Sequence, residues 1–285
     1  MNDANINDEI IARFWRDGVV CLRGVFDQHW LDQLAAGVEA NFADPGPYHT
    51  RYTDADAPGG FYDDYCNWQR IAQYRDFILH SPAGEIAARI LRSNAVRIYH
   101  EHVLIKEPGT REKTPWHHDL PYYGLSGAQL GSIWLPLDEV PQDVCPQFVA
   151  GSHRNGALYY PRLFRDHQDY RAENSDDDDG FQSVPDIDAA IANGSDQPRI
   201  LSWRLRRGDC LVFHMRSVHG APATRAMKSR RRGFSTRWLG DDARFAQRPW
   251  TTSPPFPELR LKPGEAMDDP AFPLVWRRQP DAAAR

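Results

Sequence analysis

The chain has 285 residues, 41% hydrophobic and 26% charged, a balance that supplies a core and excludes disorder over most of its length. Its net charge of −5 lacks the basic footprint of a nucleic-acid-binding protein, and no run of about 18 apolar residues offers a membrane span. Nine Trp, 22 Pro and 20 Gly suit short strands joined by turns better than a helical bundle.

Met1–Asn5 lack the basic and apolar regions of a signal peptide. Residues 8–17 predict an amphipathic helix, with Ile10, Ile11, Phe14 and Trp15 on one stripe, Asp8 as N-cap and Gly18 as its stop. Val19–Val25 reads as a strand, and Asp27 opens a second helix through about Phe42. Residues 44–65 are rich in Pro, Gly, Asp and Tyr and read as a long loop; a third helix covers about Pro82–Arg92. From Ala95 the texture becomes extended: Val96–Ile105, Gly131–Leu137, Gln147–Val149, Ile200–Leu205, Cys210–His214 and Phe234–Leu239 all read as strands. Residues 155–198 look inserted and carry the acidic run Asp176–Asp179, read as a solvated loop. The tail from Gln247 is Pro-rich, but Trp250, Phe256, Phe272 and Trp276 predict that it packs on the body as irregular structure. The four Cys (21, 66, 145 and 210) lie far apart without paired spacing, which points away from zinc or disulfides and toward a reducing cytoplasm.

The candidate chemistry sits in Pro115-Trp-His-His-Asp119. On a strand, residues i and i+2 share a face, so His117 and Asp119 present an imidazole and a carboxylate side by side, with His118 opposite. One more ligand completes a 2-His-1-carboxylate triad with open positions on Fe(II). The pair alone is a weak signal: 29 Asp and 11 His give about one His-x-Asp by chance, and His167-Gln-Asp169 is a second. That second pair lies among polar residues of the insert and reads as surface. A third ligand should come from a distant strand, where His214 ends an apolar run and reads as a packed core histidine, while His219 opens a turn.

With these residues the chain resembles the phytanoyl-CoA dioxygenase family of iron and 2-oxoglutarate enzymes. The matching stretches are Phe14–Val25, Lys106–Gly109, Pro115–Asp119 with Pro121-Tyr122, Trp134–Asp138, Gly151-Ser-His153, Gly208–His214, and His219-Gly220 on to Arg231 and Arg237-Trp238. The resemblance implies a mainly β double-stranded β-helix, a jelly-roll relative, with flanking helices. It also implies His117, Asp119 and His219 as the ligands of Fe(II), with 2-oxoglutarate as cosubstrate and O2 as oxidant. The far carboxylate of 2-oxoglutarate needs a cation, and a planar guanidinium suits it. Alternation puts Arg231 with Gly233 and Ser235, as the family's Arg-x-x-x-Ser pattern does; counting from His219 instead favours Arg230. Relatives place a Trp beside the cosubstrate where Trp134 stands, and a contact where His102 stands. Ala221 and Thr224 depart from the family's usual Ser and Asn. Halogenating relatives lack a carboxylate at the position of Asp119, so its presence favours hydroxylation or a related oxidation.

The expected organisation is a single domain over residues 1–285: a helical layer at about 8–95, a β-helix core at about 96–240, and an irregular tail at 241–285. The expected activity is hydroxylation of a small organic metabolite with release of succinate and CO2, by a cytoplasmic monomer or homodimer with no nucleic-acid or membrane partner. Residues 44–65, with Tyr48, Tyr52, Tyr62 and Tyr65, and the 155–198 insert are natural substrate walls. Two alternatives remain: a β-helix that binds ligand or metal without turnover, and a cupin-type metalloenzyme that takes His100 and His102 as its metal pair and does not use 2-oxoglutarate.

Overall fold

The computed structural model describes residues 6–170, 180–193, 198–225 and 227–279. Helix α1 (Asp8–Asp17) leads into β1 (Val19–Leu22) and α2 (Gln28–Ala43), followed by β2 (Thr50–Arg51), β3 (Phe61–Tyr65), α3 (Ala72–His80) and α4 (Ala83–Leu91). The strands β4 (Ala95–Lys106), β5 (Thr114–His117), β6 (Leu125–Ser126), β7 (Leu130–Pro136) and β8 (Gln147–Val149) come next. After α5 (Ile187–Ala192) come β9 (Ile200–Leu201), β10 (Cys210–His214), β11 (His219–Ala221), β12 (Arg231–Leu239), β13 (Arg244–Phe245) and β14 (Leu274–Arg277).

The strands form a major sheet in the order β1-β10-β7-β12-β4-β3-β2, with β14 also on β4, and a minor sheet in the order β5-β11-β8-β9. All pairings within these two sheets are antiparallel, and both sheets remain open. The inner faces of the two sheets line one cavity, the arrangement of a double-stranded β-helix. On the outer face of the major sheet, Ile98, Val103, Ile105, Ile133, Val212, Phe234 and Trp238 meet apolar residues of α1 to α4 in the main core. The helices therefore cover one face of the sheet and leave the other for the cavity.

Helix α1 spans the residues 8–17 read from the sequence, but its N-cap is Asn7 rather than Asp8, the Asn7 side chain accepting from Ile10 N. Gly18 ends it at φ +82°, where a Cβ would collide with Ser217 and His153. The structure departs from the sequence reading in several places, and α3 is a helix that the reading did not include. Residues 44–65 hold a β-hairpin end rather than only loop: the polar stretch Phe61–Tyr65 pairs with β4, and its two carboxylates find local donors. Helix α3 has no sequence start signal because Ile71 offers no capping oxygen, yet Tyr74, Phe77 and Ile78 bury one face. The tail is not wholly irregular, since Trp276 sits in β14 on the major sheet. The strands read at Val19–Val25 and Ile200–Leu205 are shorter than expected. Asp176–Asp179 lie outside the described residues. Among the described residues no helix is long and apolar enough to cross a membrane.

His214 is a packed histidine: Nε2–H donates to Ala128 O at 2.9 Å and Nδ1 accepts from Arg216 N at 3.0 Å. Burial, with His153 nearby, pushes its pKa down to about 3. The unfolded chain, near the ordinary value of 6.5, therefore binds a proton that the folded chain does not. Stability should fall as pH drops from 6.5 toward 3, at up to roughly 1.4 kcal/mol per pH unit for this group. Urea unfolding of His214→Gln should show a loss of about 1–2 kcal/mol at pH 7. It should also show a pH slope shallower than wild type by about one proton.

Candidate metal centre and adjoining cavity

His117 ends β5, and its cross-strand partner on β11 is His219, with ring centroids 4.2 Å apart. Asp119 follows where the chain leaves the minor sheet for a 3-10 turn at Leu120–Tyr122. Each histidine gives its Nδ1–H to a carbonyl two residues back: His117 to Pro115 O at 2.8 Å, His219 to Ser217 O at 2.9 Å. That fixes the tautomer and leaves both Nε2 lone pairs free. Asp119 Oδ1 lies 3.6 Å from His117 Nε2 and 3.7 Å from His219 Nε2, beyond hydrogen-bond range. The three donor atoms lie within 4.8 Å of one another, and among the described residues they are the one group of three His, Cys, Asp or Glu so gathered.

The other carboxylate oxygen is held from the opposite sheet. Asp119 Oδ2 accepts from Ser132 Oγ at 3.1 Å and faces Arg237 Nη2 at 3.6 Å. Burial alone would raise this carboxyl, but Arg237 and the two histidines hold it well below the usual carboxylate range. Burial and the neighbouring His117 push His219 down to about 3, so it presents a neutral imidazole at neutral pH. A carboxylate oxygen and two imidazole nitrogens converging on one point fit a divalent, borderline-soft cation.

The cavity beside this group has a volume of about 290 Å³. Its floor is a cross-strand grid on the major sheet. One row runs His100–Arg237–Ser132–Phe213, and the next Tyr65–His102–Ser235–Trp134. Arg231 stands at the far end of the same β12 face. It is 5% exposed, donates to Val144 O, and has no carboxylate within ion-pair reach among the described residues. Burial pushes its pKa down to about 10, as expected for a guanidinium that lacks an anion. Trp134 packs its Nε1 edge over Gly233, where a Cβ would collide with it.

Of the sequence candidates, His117, Asp119, His219, Arg231, Trp134 and His102 all line this cavity. Arg230 does not: alternation turns it away from the cavity, where it pairs with Glu107 at 3.0 Å and Glu39 at 3.3 Å. His102 gives its Nε2–H to Asp63 at 2.8 Å. The alternative pair His100 and His102 gathers no third ligand, and its ring centroids are 6.4 Å apart. His167 is exposed, and Asp169 pairs with Arg162 at 3.3 Å. The outer wall comes from both stretches read as substrate walls: Tyr52, Asp63 and Tyr65 from one, Arg162, Leu163, Phe164 and Tyr170 from the other, with Ser253 from the tail. Tyr48 and Tyr62 are not in that wall; Tyr48 stacks on Tyr65, and Tyr62 turns toward Phe42. Arg237 and Ser132 carry no role in the sequence reading, although period-two alternation from Arg231 and Trp134 reaches both.

The model of the family described as phytanoyl-CoA dioxygenase matches residues 14–232. Among solved structures, the chain is similar to SnoK, described as a non-heme α-ketoglutarate-dependent carbocyclase from nogalamycin biosynthesis. The two share 24% identity over 95% of this chain and 97% of that one, with a TM-score of 0.72. The epimerase SnoN from the same biosynthesis shares 22% over 95% and 96%, with a TM-score of 0.70. EctD from S. alaskensis, solved with 2-oxoglutarate and 5-hydroxyectoine, shares 17% over 98% and 89%, with a TM-score of 0.65. At these identities the likeness establishes the fold. No curated protein matches the chain.

Gly233→Val should drive a side chain into the Trp134 indole. Overpacking of this kind costs about 1–3 kcal/mol, to be read as a lower urea midpoint with an unchanged m-value.

Proposed function

The chain belongs to the phytanoyl-CoA dioxygenase family, and from that premise we propose that it hydroxylates a small organic metabolite, using Fe(II), 2-oxoglutarate and O2. The chain is an Fe(II)- and 2-oxoglutarate-dependent enzyme. One observation carries the reading. Three ligand atoms converge within 4.8 Å in the same cavity as a buried arginine without an anionic partner. His117, Asp119 and His219 would hold the metal, and Arg231 would take the far carboxylate of 2-oxoglutarate, with Ser235 and Trp134 on the same face. When bound, this pair supplies with O2 the oxidising equivalent, the cosubstrate leaving as succinate and CO2.

The residues of the chain do the positioning. Pro115 O and Ser217 O orient the two imidazoles so that Nε2 faces the metal position. Ser132 and Arg237 occupy one oxygen of Asp119 and leave the other to the cation. Arg231 would hold the far carboxylate of the cosubstrate, and Phe148, Phe213 and Trp134, which line the same cavity, would shield it from water. We assign the chain to one domain in the cytoplasm, where its four cysteines stay free thiols.

Anaerobic addition of Fe(II) and 2-oxoglutarate should produce a metal-to-ligand charge-transfer band in the visible. His117→Ala should abolish it. Arg231→Leu should raise the 2-oxoglutarate concentration needed by tenfold or more, because a buried charged hydrogen bond is lost. Arg230→Ala should leave it unchanged. If both bind but no compound ever yields succinate, the chain is a binding protein instead. Arg237→Leu should weaken Fe(II) affinity by about 10–100-fold, the usual effect of removing a partner that orients a ligand.

A further inference from the structure

Beyond the proposed metal and cosubstrate positions, the cavity wall holds buried polar atoms with nothing to bond. Asp63 accepts from Tyr52 Oη and from His102 Nε2, both at 2.8 Å and both at Oδ2, while its Oδ1 is buried without a partner. Arg237 Nη2, which can only donate, faces His102 Nδ1 at 3.5 Å, and that imidazole turns its Nε2–H to Asp63. His100 Nδ1 donates to Glu101 O at 2.9 Å, which leaves its Nε2 a lone pair, also buried and unpartnered. Asp63 and His100 both line the cavity and are 4% and 2% exposed. Ser235 Oγ and Arg237 Nη1 are unpartnered as well; Ser235 lies on the Arg231 face of β12, and Arg237 turns its other nitrogens to Tyr123, His102 and Asp119.

The charges in the wall can be matched one by one. Asp119 faces Arg237, and Arg162 faces Asp169. Arg231 awaits the cosubstrate carboxylate. Asp63 is left with the His102 imidazole at 2.8 Å and with no Lys or Arg of the described residues within ion-pair distance. The surfaces near it are aromatic. Tyr65 lies 5.3 Å from His102, Tyr52 lies 5.7 Å from Phe164, and Phe164 lies 5.0 Å from His117, ring centre to ring centre. A buried carboxylate among aromatic faces is a site for a cation that also donates hydrogen bonds.

We propose that this wall selects a substrate bearing a protonated amine. Its ammonium group sits on Asp63, and its carbon skeleton runs along Tyr52 and Phe164 toward His117. His100, two cross-strand rows from Asp63, accepts from a second N–H or O–H of the same molecule. The proposal rests on the Fe(II) and 2-oxoglutarate reading only for which bound molecule is oxidised.

The test is anaerobic titration calorimetry on protein loaded with Fe(II) and 2-oxoglutarate, with phenethylamine, phenylethanol and phenylpropanoate as probes. Phenethylamine should bind about tenfold or more tighter than either isostere. Asp63→Asn should remove that advantage and leave the charge-transfer band in place. The proposal is overturned if phenethylamine does not bind, if the alcohol or the carboxylate binds as tightly, or if the advantage survives in Asp63→Asn. The wild-type comparison decides even where the variant fails to fold. Absence of the charge-transfer band in wild type would count against the iron reading alone, since the amine preference is then measured on the same protein without metal.

Discussion

A single buried carboxylate couples the two sheets. Asp119 leaves the minor sheet beside His117, and one of its oxygens faces the two imidazoles while the other is taken by Ser132 of β7 and Arg237 of β12. Burying an anion is costly unless donors and opposite charge surround it. Here the donors come from the major sheet and the imidazoles from the minor one, so the low-energy state of this side chain exists only when both sheets are in register. The ligand geometry is thus a consequence of the fold closing, not of a local motif.

Register does the rest. In an antiparallel sheet, residues opposite one another share a face, and the pairing of β4, β12 and β7 turns separate strands into rows of neighbouring side chains. One irregularity matters. Arg237 opposes His100 and Trp238 opposes Ile98, so Tyr99 is an extra residue on β4. The bulge reverses the alternation along that strand. Ile98 and Val96 then face the helices with Val103 and Ile105, while His100, His102 and Leu104 face the cavity. A strand without the bulge would put Ile98 in the cavity with His100.

This explains what could be read from the residues in order. Period-two alternation needs no tertiary knowledge, and it separates Arg231 from Arg230 and His117 from His118. The apolar runs at Gly131–Leu137, Gln147–Val149 and Cys210–His214 identify strands to within a residue or so. What alternation cannot supply is the partner across a sheet. Arg237 is 118 residues from Asp119, and nothing local to either says that they meet. Phe61–Tyr65 escapes for a different reason: its consecutive Asp63 and Asp64 do not look like a buried strand, and donors from Asn41, Gly46, Tyr52, Tyr65 and His102 make them tolerable indoors.

The division between legible and illegible residues also divides the site by function. The proposed metal and cosubstrate positions lie on regular strands, whose spacing is fixed by the backbone ladder and reads directly from the chain, except for Asp119, which sits two residues past the end of β5 at the head of the 3-10 turn rather than on the strand that its spacing suggests. The outer wall is built from the β2–β3 hairpin, from residues 162–170 and from Ser253 of the tail, which are joined by side-chain bonds such as Tyr65 Oη to Ser253 Oγ at 2.8 Å and Tyr122 Oη to Arg162 O at 2.6 Å. The hairpin strand β3 is laddered onto β4, but its Asp63 and Asp64 hide the apolar alternation, and residues 162–170 and Ser253 lie outside the named strands. A fold of this kind can therefore keep its reactive floor while the wall changes. The chemistry of the substrate must then be read from the wall's own unmatched polar atoms, of which the carboxylate of Asp63 is the charged acceptor.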